Sequence, residues 1–296
     1  MTTIKRPISF NDIIGQNDVV NRLKISTTAC KKTEGVLPHV LIDGPPGLGK
    51  TTIAGAIANE MGVNLYTANA ANLRSTKSVI PYLLRMTKRS VFFIDEIHRL
   101  PKLVEEFLYP VMEDFKFSVI LEKEPEEIEV PYFTLIGATT SGGSLSQPFY
   151  DRFTIKEHLS FYDDDELAKL AGLNAKQLGL MISDNDLKEI ARRSKGTPRI
   201  LNARLNWYNN YKVCHTNNIT VNDIFMLQGI DEKGLDSYDR VYLDILKSNI
   251  GNPLGLKSIS SLSGIAIETI ENSIEPYLIR KGFIRRTQKG RILGNI

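Results

Sequence analysis

Cysteine is almost absent from this chain. Only Cys30 and Cys214 occur among 296 residues, far apart in sequence. That excludes a disulfide framework and a cysteine zinc cluster, and it suits two isolated thiols in helices within a reducing, cytoplasmic compartment. Histidine is nearly as sparse, with four residues and no H-x-x-x-H pairing from which a metal motif could be built. His98, which follows Asp95 and Glu96, therefore reads as a hydrogen-bonding residue that is either structural or supports the residues of the site from behind. No apolar run approaches the ~20 residues needed to span a membrane, and Met1-Thr2-Thr3-Ile4-Lys5-Arg6-Pro7 lacks the apolar segment of a secretory signal. Internal repeats and low-complexity tracts are missing too. So is a large charge of one sign: 37 Lys+Arg against 34 Asp+Glu leave +3, and any contact with nucleic acid must come from a local patch. What remains, 42% hydrophobic and 24% charged, is ordinary globular protein of about two or three domains.

Charge is uneven along the chain. Between Tyr277 and Ile296 lie Arg280, Lys281, Arg285, Arg286, Lys289 and Arg291 with no acidic residue. The stretch from Glu122 to Glu129 is strongly acidic.

Gly44-Pro45-Pro46-Gly47-Leu48-Gly49-Lys50-Thr51 fits the phosphate-binding pattern G-x-x-x-x-G-K-[ST] at every fixed position. An apolar run precedes it and a helix-like run follows, which is the strand–loop–helix context that gives the motif meaning. Glycines let backbone N–H groups curl around an anion, and a helix N-terminus adds positive potential. Lys50 is expected to reach the β- and γ-phosphates of ATP and the Thr51 hydroxyl to hold Mg²⁺. Val91-Phe92-Phe93-Ile94-Asp95-Glu96 is an apolar strand ending in two carboxylates. Neighbouring strand residues point opposite ways, so the pair divides its labour: Asp95 supports Mg²⁺, partly through water, and Glu96 orients the attacking water. Thr139 closes another buried strand and is placed to meet the γ-phosphate or that water. Arg152, after a loop of small residues, suits the arginine that some phosphoryl-transfer sites receive from a neighbouring subunit, with an Asp151 salt bridge as the plain alternative. Arg199, in Gly196-Thr197-Pro198-Arg199, starts a helix and could meet the γ-phosphate in cis.

Strand-like runs at Val40–Asp43, Asn64–Ala68, Val91–Asp95, Phe133–Ala138 and Ile155–Phe161 alternate with helical stretches. A parallel sheet between helices is the economical fold. Residues 117–121 and 128–130 read as a β-hairpin leaving that sheet, with the acidic run between them. From 162 onward the pattern is helical, with acid at the start of one helix and Asp184 as the N-cap of another. After 235, short helices and then two β-like runs around Gln288-Lys289-Gly290 suggest a winged helix.

Together these residues resemble the AAA+ ATPases, and more specifically the RuvB-type Holliday-junction branch-migration family. The resemblance runs from Arg6-Pro7 to Arg291. Its most specific stretches are Asp95-Glu96-Ile97-His98-Arg99-Leu100, Met112-Glu113-Asp114 and the block from Glu275-Pro276-Tyr277 to Gly290-Arg291. It implies an AAA+ large domain (1–161), a small helical lid (162–232) and a DNA-binding winged helix (233–296). It implies a homo-oligomeric, hexameric ring that uses ATP and Mg²⁺ to pull duplex DNA through a four-way junction, with a RuvA-type junction-binding partner and no membrane. Gly47, Gly49, Lys50, Thr51 and Thr52 carry over as the ATP loop. Arg6, Tyr162, Glu113, Asp114 and Phe115 carry over as residues bordering nucleotide. Thr139, Arg199 and Arg152 match the first sensor, the second sensor and the trans-acting finger, and Arg286 and Arg291 match wing residues that contact DNA. The chain departs from the family at Tyr150, Ser141 and Ile267, where arginine is usual. Pro81 should bend or shorten its helix, the lid helix around Asn202-Ala203-Arg204 is thinned of arginine, and the hairpin is acidic and short. A clamp-loader-type ATPase and a nucleotide-binding module without turnover are the competing readings. The basic wing argues against the first, and the presence of Lys50, Asp95, Glu96 and Arg152 argues against the second.

Overall fold

Strands that alternate with helices in sequence can pair in parallel, because each connecting helix returns the chain to the sheet's starting edge. The computed structural model describes residues 4–121, 124–215 and 220–294 and divides into two units, Lys5–Phe161 and a second that begins at Tyr162. The first unit contains β1 (Val40–Asp43), β2 (Leu65–Asn69), β3 (Val91–Asp95), β6 (Thr134–Thr139) and β7 (Ile155–His158), all parallel, in the order β2-β3-β6-β1-β7. Helix α1 (Asn17–Lys32) precedes them, and α2 (Lys50–Met61), α3 (Thr76–Leu83), α4 (Lys102–Glu113) and α5 (Gln147–Asp151) run between them.

The central strands are buried on both faces, as their unbroken apolar sequences require. Leu41, Phe92, Ile94 and Leu135 share one face with Val79 and Leu83 of α3, Val104 and Leu108 of α4, and Phe149 of α5. Helix α2 packs on the sheet through buried Ile53, Ala54 and Ile57. Strand β7 is shorter than expected, ending at His158, where Leu159 N–H donates to the Asp43 carbonyl and the chain turns away. Helix α3 runs only two residues past Pro81, in keeping with the hydrogen bond that proline cannot donate.

The hairpin is a separate sheet of β4 (Lys116–Leu121) and β5 (Glu124–Glu129). The acidic run expected to be its loop is instead strand β5, and Glu122 and Lys123 at the tip lie outside the described residues. Phe117 and Ile128 pair across the ladder, while Lys116 bonds Glu127 at 3.0 Å and approaches Glu129 at 3.6 Å. An apolar inner face thus carries an acidic outer one.

The second unit contains α6 (Asp164–Gln177), α7 (Asp184–Arg192), α8 (Pro198–Cys214) and α9 (Val221–Leu227). Asp163 and Glu166 form a capping box on α6. Ser183, not Asp184, caps α7, because its side chain accepts from Asp186 N–H. Trp207 donates to the Ile224 carbonyl and Tyr208 is buried, so both are packing residues. The unit continues through α10 (Ser237–Lys247), α11 (Leu256–Ser263), α12 (Ile267–Thr269), a π-helical turn at Ile270–Ile274 and α13 (Glu275–Arg280) to an antiparallel pair, β8 (Ile284–Thr287) and β9 (Gly290–Leu293). Leu254 bridges to Arg291 and adds a third strand position to this wing. Lys195, 5% exposed and itself in the left-handed region, bonds Asp236 at 2.9 Å and the fully buried Asp239 at the start of α10. Breaking such a pair leaves an uncompensated buried charge, so this bond fixes the lid loop to the winged helix. Among the described residues no helix is long and apolar enough to cross a membrane.

His39 secures the edge of the sheet opposite the glycine loop. Its Nδ1 accepts from Leu135 N–H at 2.9 Å and its Nε2 donates to the Met112 carbonyl at 3.0 Å, a pattern that the neutral ring satisfies. Burial pushes its pKa down, against the opposing pull of the Met112 hydrogen bond. Free histidine titrates near pH ~6.5. Below that value the unfolded chain gains a proton that the folded one resists, so this contribution is complete above about pH 6.5 and is lost as pH falls through the lowered folded pKa. Urea unfolding should therefore lose more stability between about pH 7 and 5 in the wild type than in His39→Gln; parallel pH profiles would contradict the assignment.

Candidate active site

Parallel pairing brings the C-terminal ends of β1, β3 and β6 to one edge, in the order β3-β6-β1. Asp43, the last residue of β1, pairs with Thr139, the last of β6, so the glycine loop begins beside Thr139. Gly44 has φ +140°, and a Cβ there would meet the Leu159 carbonyl oxygen at 2.6 Å. Gly47 and Gly49 also take positive φ, and Gly49 begins α2 without a side-chain cap. The first N–H groups of α2 are thus offered to an anion rather than to a capping oxygen. Lys50 is only 7% exposed, and its Nζ donates to the carbonyls of Gly44 at 2.7 Å and Pro45 at 3.1 Å. It arches over its own loop, the position from which an ammonium group reaches bound phosphate. Thr51 and Thr52 occupy the first turn of α2.

Asp95 ends β3, and Glu96 leaves the strand in the left-handed region at φ 51°. That conformation costs a non-glycine residue energy and persists only where its surroundings hold it. The next residue, Ile97, is fully buried. A Cβ on Gly137, in the middle of β6, would stand 2.7 Å from Ile97 Cδ1, so the bare backbone of β6 leaves room for Ile97 to pack there. After this turn the two carboxylates meet different partners. Asp95 Oδ1 accepts from Glu96 N–H at 3.1 Å. Glu96 Oε2 accepts from the Thr140 hydroxyl at 3.3 Å and lies 3.4 Å from His98 Nδ1. The same Nδ1 is 2.9 Å from Thr139 Oγ1, which also accepts from Ser141 N–H at 2.9 Å. His98 therefore links Glu96 to Thr139 and belongs to the site. Of the two roles that its position after Glu96 allows, the 3₁₀ turn Ile97–Arg99 gives it the supporting one by folding it back.

Arg152 lies elsewhere. It precedes β7, whose first residue pairs with Val40 at the starting edge of the sheet. Its partner is Glu113 at 3.1 Å, not Asp151, which accepts from Gln147. The guanidinium also lies over the Tyr109 ring at 4.1 Å and donates to the Pro148 carbonyl at 2.7 Å. Tyr109 is fixed in turn by Ser146 at 3.0 Å, whose hydroxyl donates to buried Glu105 at 2.6 Å. Phe115, with φ 56°, packs on His39, Tyr132 and Phe133 at the same starting edge. Glu113, Asp114 and Phe115 thus gather with Arg152, away from the glycine loop. At about 3.3 Å per residue, the six residues of β6 hold the two edges about 17 Å apart. Among the departures, Tyr150 lies under Lys156 Nζ at 4.1 Å, and Ser141 bonds Ser144 at 2.6 Å.

Arg6 is exposed before the short helical turn Phe10–Asp12. In the second unit, buried Tyr162 donates its N–H to the Gly196 carbonyl at 3.0 Å, and Arg199 is exposed in the first turn of α8. These two are brought to one loop. In the wing, Arg286 and Arg291 face each other across the ladder, and both bond the buried Glu275. Arg285 and Lys289 are exposed.

A glycine loop over a helix N-terminus, an inward lysine and a strand-end Asp–Glu pair beside a threonine-ended strand define a P-loop ATPase of the AAA+ class. The family model described as the Holliday junction DNA helicase RuvB P-loop domain matches residues 5–159, the RuvB AAA lid domain 162–226, and the RuvB C-terminal winged helix domain 232–295. The RuvB subunit of the Holliday junction branch migration complex from Rhodopirellula baltica is 40% identical over 296 residues, covering 97% of this chain and 81% of the relative. The corresponding subunit of Fusobacterium nucleatum is 40% identical over 297 residues, covering 97% and 90%. The Thermotoga maritima RuvB branch migration motor superposes with a TM-score of 0.89 at 37% identity, over 98% of this chain and 95% of that one. A point mutant of the same Thermotoga protein gives 0.91 at 36%, over 98% and 96%. The chain belongs to the RuvB family.

Lys50→Ala should weaken ATP binding at least about tenfold, or about 1.4 kcal/mol, in a titration with a fluorescent ATP analogue. Wild-type affinity in that variant would contradict the loop assignment.

Proposed function

We infer that this chain is an ATP-dependent motor that works as an oligomeric ring on branched duplex DNA and drives branch migration of Holliday junctions in recombination and repair. The observation that carries the reading is the separation of the glycine loop and Arg152 to opposite edges of one sheet. A nucleotide on the loop is out of reach of its own Arg152, so hydrolysis needs the Arg152 of a neighbour, and subunits arranged head to tail close into a ring. A hexamer is the ring we propose, built from an ATPase domain (1–161), a lid (162–232) and a DNA-binding winged helix (233–296).

In this reading Gly47, Gly49, Lys50, Thr51 and Thr52 cradle the phosphates. Lys50 moves from the Gly44 and Pro45 carbonyls to the β- and γ-phosphates. Thr51 and Asp95 are hard oxygen donors of the kind that, with phosphates and water, suit Mg²⁺, which when bound would neutralise charge on those phosphates. Glu96 orients the attacking water, and His98 with Thr139 reports the γ-phosphate to it. Arg152 of the neighbour stabilises charge in the transition state, with Glu113, Asp114 and Phe115 beside it on the same trans face. Arg6, Tyr162 and Arg199 border the nucleotide in cis. On DNA, the wing that carries Arg286 and Arg291 addresses phosphates, which gives sequence-independent, salt-sensitive binding suited to movement along any duplex. The acidic outer face of β5 would meet a RuvA-type junction-binding protein through a basic surface of that partner.

A synthetic four-way junction tests the function. With ATP the wild type should resolve it into two duplexes, and Glu96→Gln should bind ATP but leave the junction intact. ATP turnover without junction movement, alone and with a RuvA-type protein, would contradict the motor and favour a loader.

A further inference from the structure

The wing places two arginines where electrostatics alone would not. Arg286 and Arg291 are directly opposed across β8 and β9, and like charges in that position repel. Beneath them lies Glu275, the first residue of α13, with 0% exposure. Its carboxylate accepts from Arg286 Nε at 2.8 Å and Nη2 at 2.5 Å, from Arg291 Nε at 2.8 Å and Nη2 at 3.3 Å, and from the Tyr242 hydroxyl of α10 at 2.7 Å. Burial opposes the Glu275 charge, but the hydrogen bonds from Arg291, Tyr242 and Arg286 outweigh it and hold the carboxyl below the ordinary carboxylate range.

The two arginines are not equivalent. The Arg291 side chain is 16% exposed and also lies 3.9 Å from Glu271. That of Arg286 is 50% exposed. A guanidinium held by Nε and one Nη keeps its other edge for a second acceptor. We propose that Glu275 is a positioning residue for DNA binding: it fixes Arg286 with one guanidinium edge turned outward to a DNA phosphate, while Arg291 serves as the inner counter-charge that balances the carboxylate. Arg286 then supplies the phosphate contact, and the three-residue group carries a net charge of +1. The inference rests on the wing being a DNA-contacting surface.

Charge and positioning predict opposite signs for one substitution. Glu275→Gln removes a negative charge from a DNA-binding surface, so a wing acting through charge alone would bind duplex more tightly. Positioning predicts that the full-length variant, folded by circular dichroism and thermal melting, binds duplex about tenfold more weakly at fixed salt, with a log–log salt slope shallower by about one unit. Tyr242→Phe keeps every charge and loosens the carboxylate, so it should weaken binding in the same direction by a smaller factor. Equal or tighter binding by folded Glu275→Gln overturns the proposal. If that variant does not fold, wild-type binding by Tyr242→Phe overturns it instead. Arg286→Ala separates the two levels. Unchanged affinity and slope there would remove the wing from DNA binding altogether, whereas a loss there with wild-type binding by the other two variants would remove only the role of Glu275.

Discussion

Parallel pairing of five strands is the constraint on which the rest of this molecule depends. It sends every strand C-terminus to one edge and every N-terminus to the other. The first edge carries Gly44–Thr51, Asp95, Glu96 and Thr139. Loops at the second hold Glu113, Phe115 and Arg152. No side-chain rotamer of Arg152 bridges the length of β6, so the sheet keeps Arg152 away from the glycine loop of its own chain, and this separation underlies the proposal that a neighbour supplies it.

Each half is held by packing rather than by the residues that do chemistry. Gly137 has no side chain, so Ile97 can seat against β6 directly after Glu96, which takes a left-handed turn. Tyr109, Ser146 and Glu105 build a platform under Arg152, whose Nε is buried without a hydrogen-bond partner among the described residues. In the wing, Glu275 does the same for its arginines. There the aimed charges rest on a buried carboxylate whose hydrogen bonds are filled.

Much of this was legible in the sequence. The glycine loop, the Asp95–Glu96 strand end and the central strands were found because a phosphate cradle and a doubly covered strand each permit few residue types. The winged helix showed itself through two short β-like runs and a glycine turn. What could not be read was the third-dimension pairing. The acidic run looked like a loop because glutamate is a poor strand former, yet it forms β5 opposite the apolar β4. Asp151 was the obvious partner for Arg152 by adjacency, but α5 turns it towards Gln147 and brings in Glu113 from α4. Arg286 and Arg291 read as a bare basic patch because Glu275, ten or more residues earlier, gives no sign of lying beneath them.

The central claim is that the hydrolytic site is completed by Arg152 of a neighbouring subunit, and mixing two inactive proteins tests it most directly. Arg152→Ala lacks the finger but keeps Glu96, and Glu96→Gln keeps the finger. Titrating one into the other while measuring ATP hydrolysis should restore turnover at intermediate ratios, because an Arg152→Ala subunit then borrows an intact Arg152 from a Glu96→Gln neighbour. Hydrolysis that stays at the level of the separate variants across all ratios, with ring assembly intact by light scattering, would contradict the account.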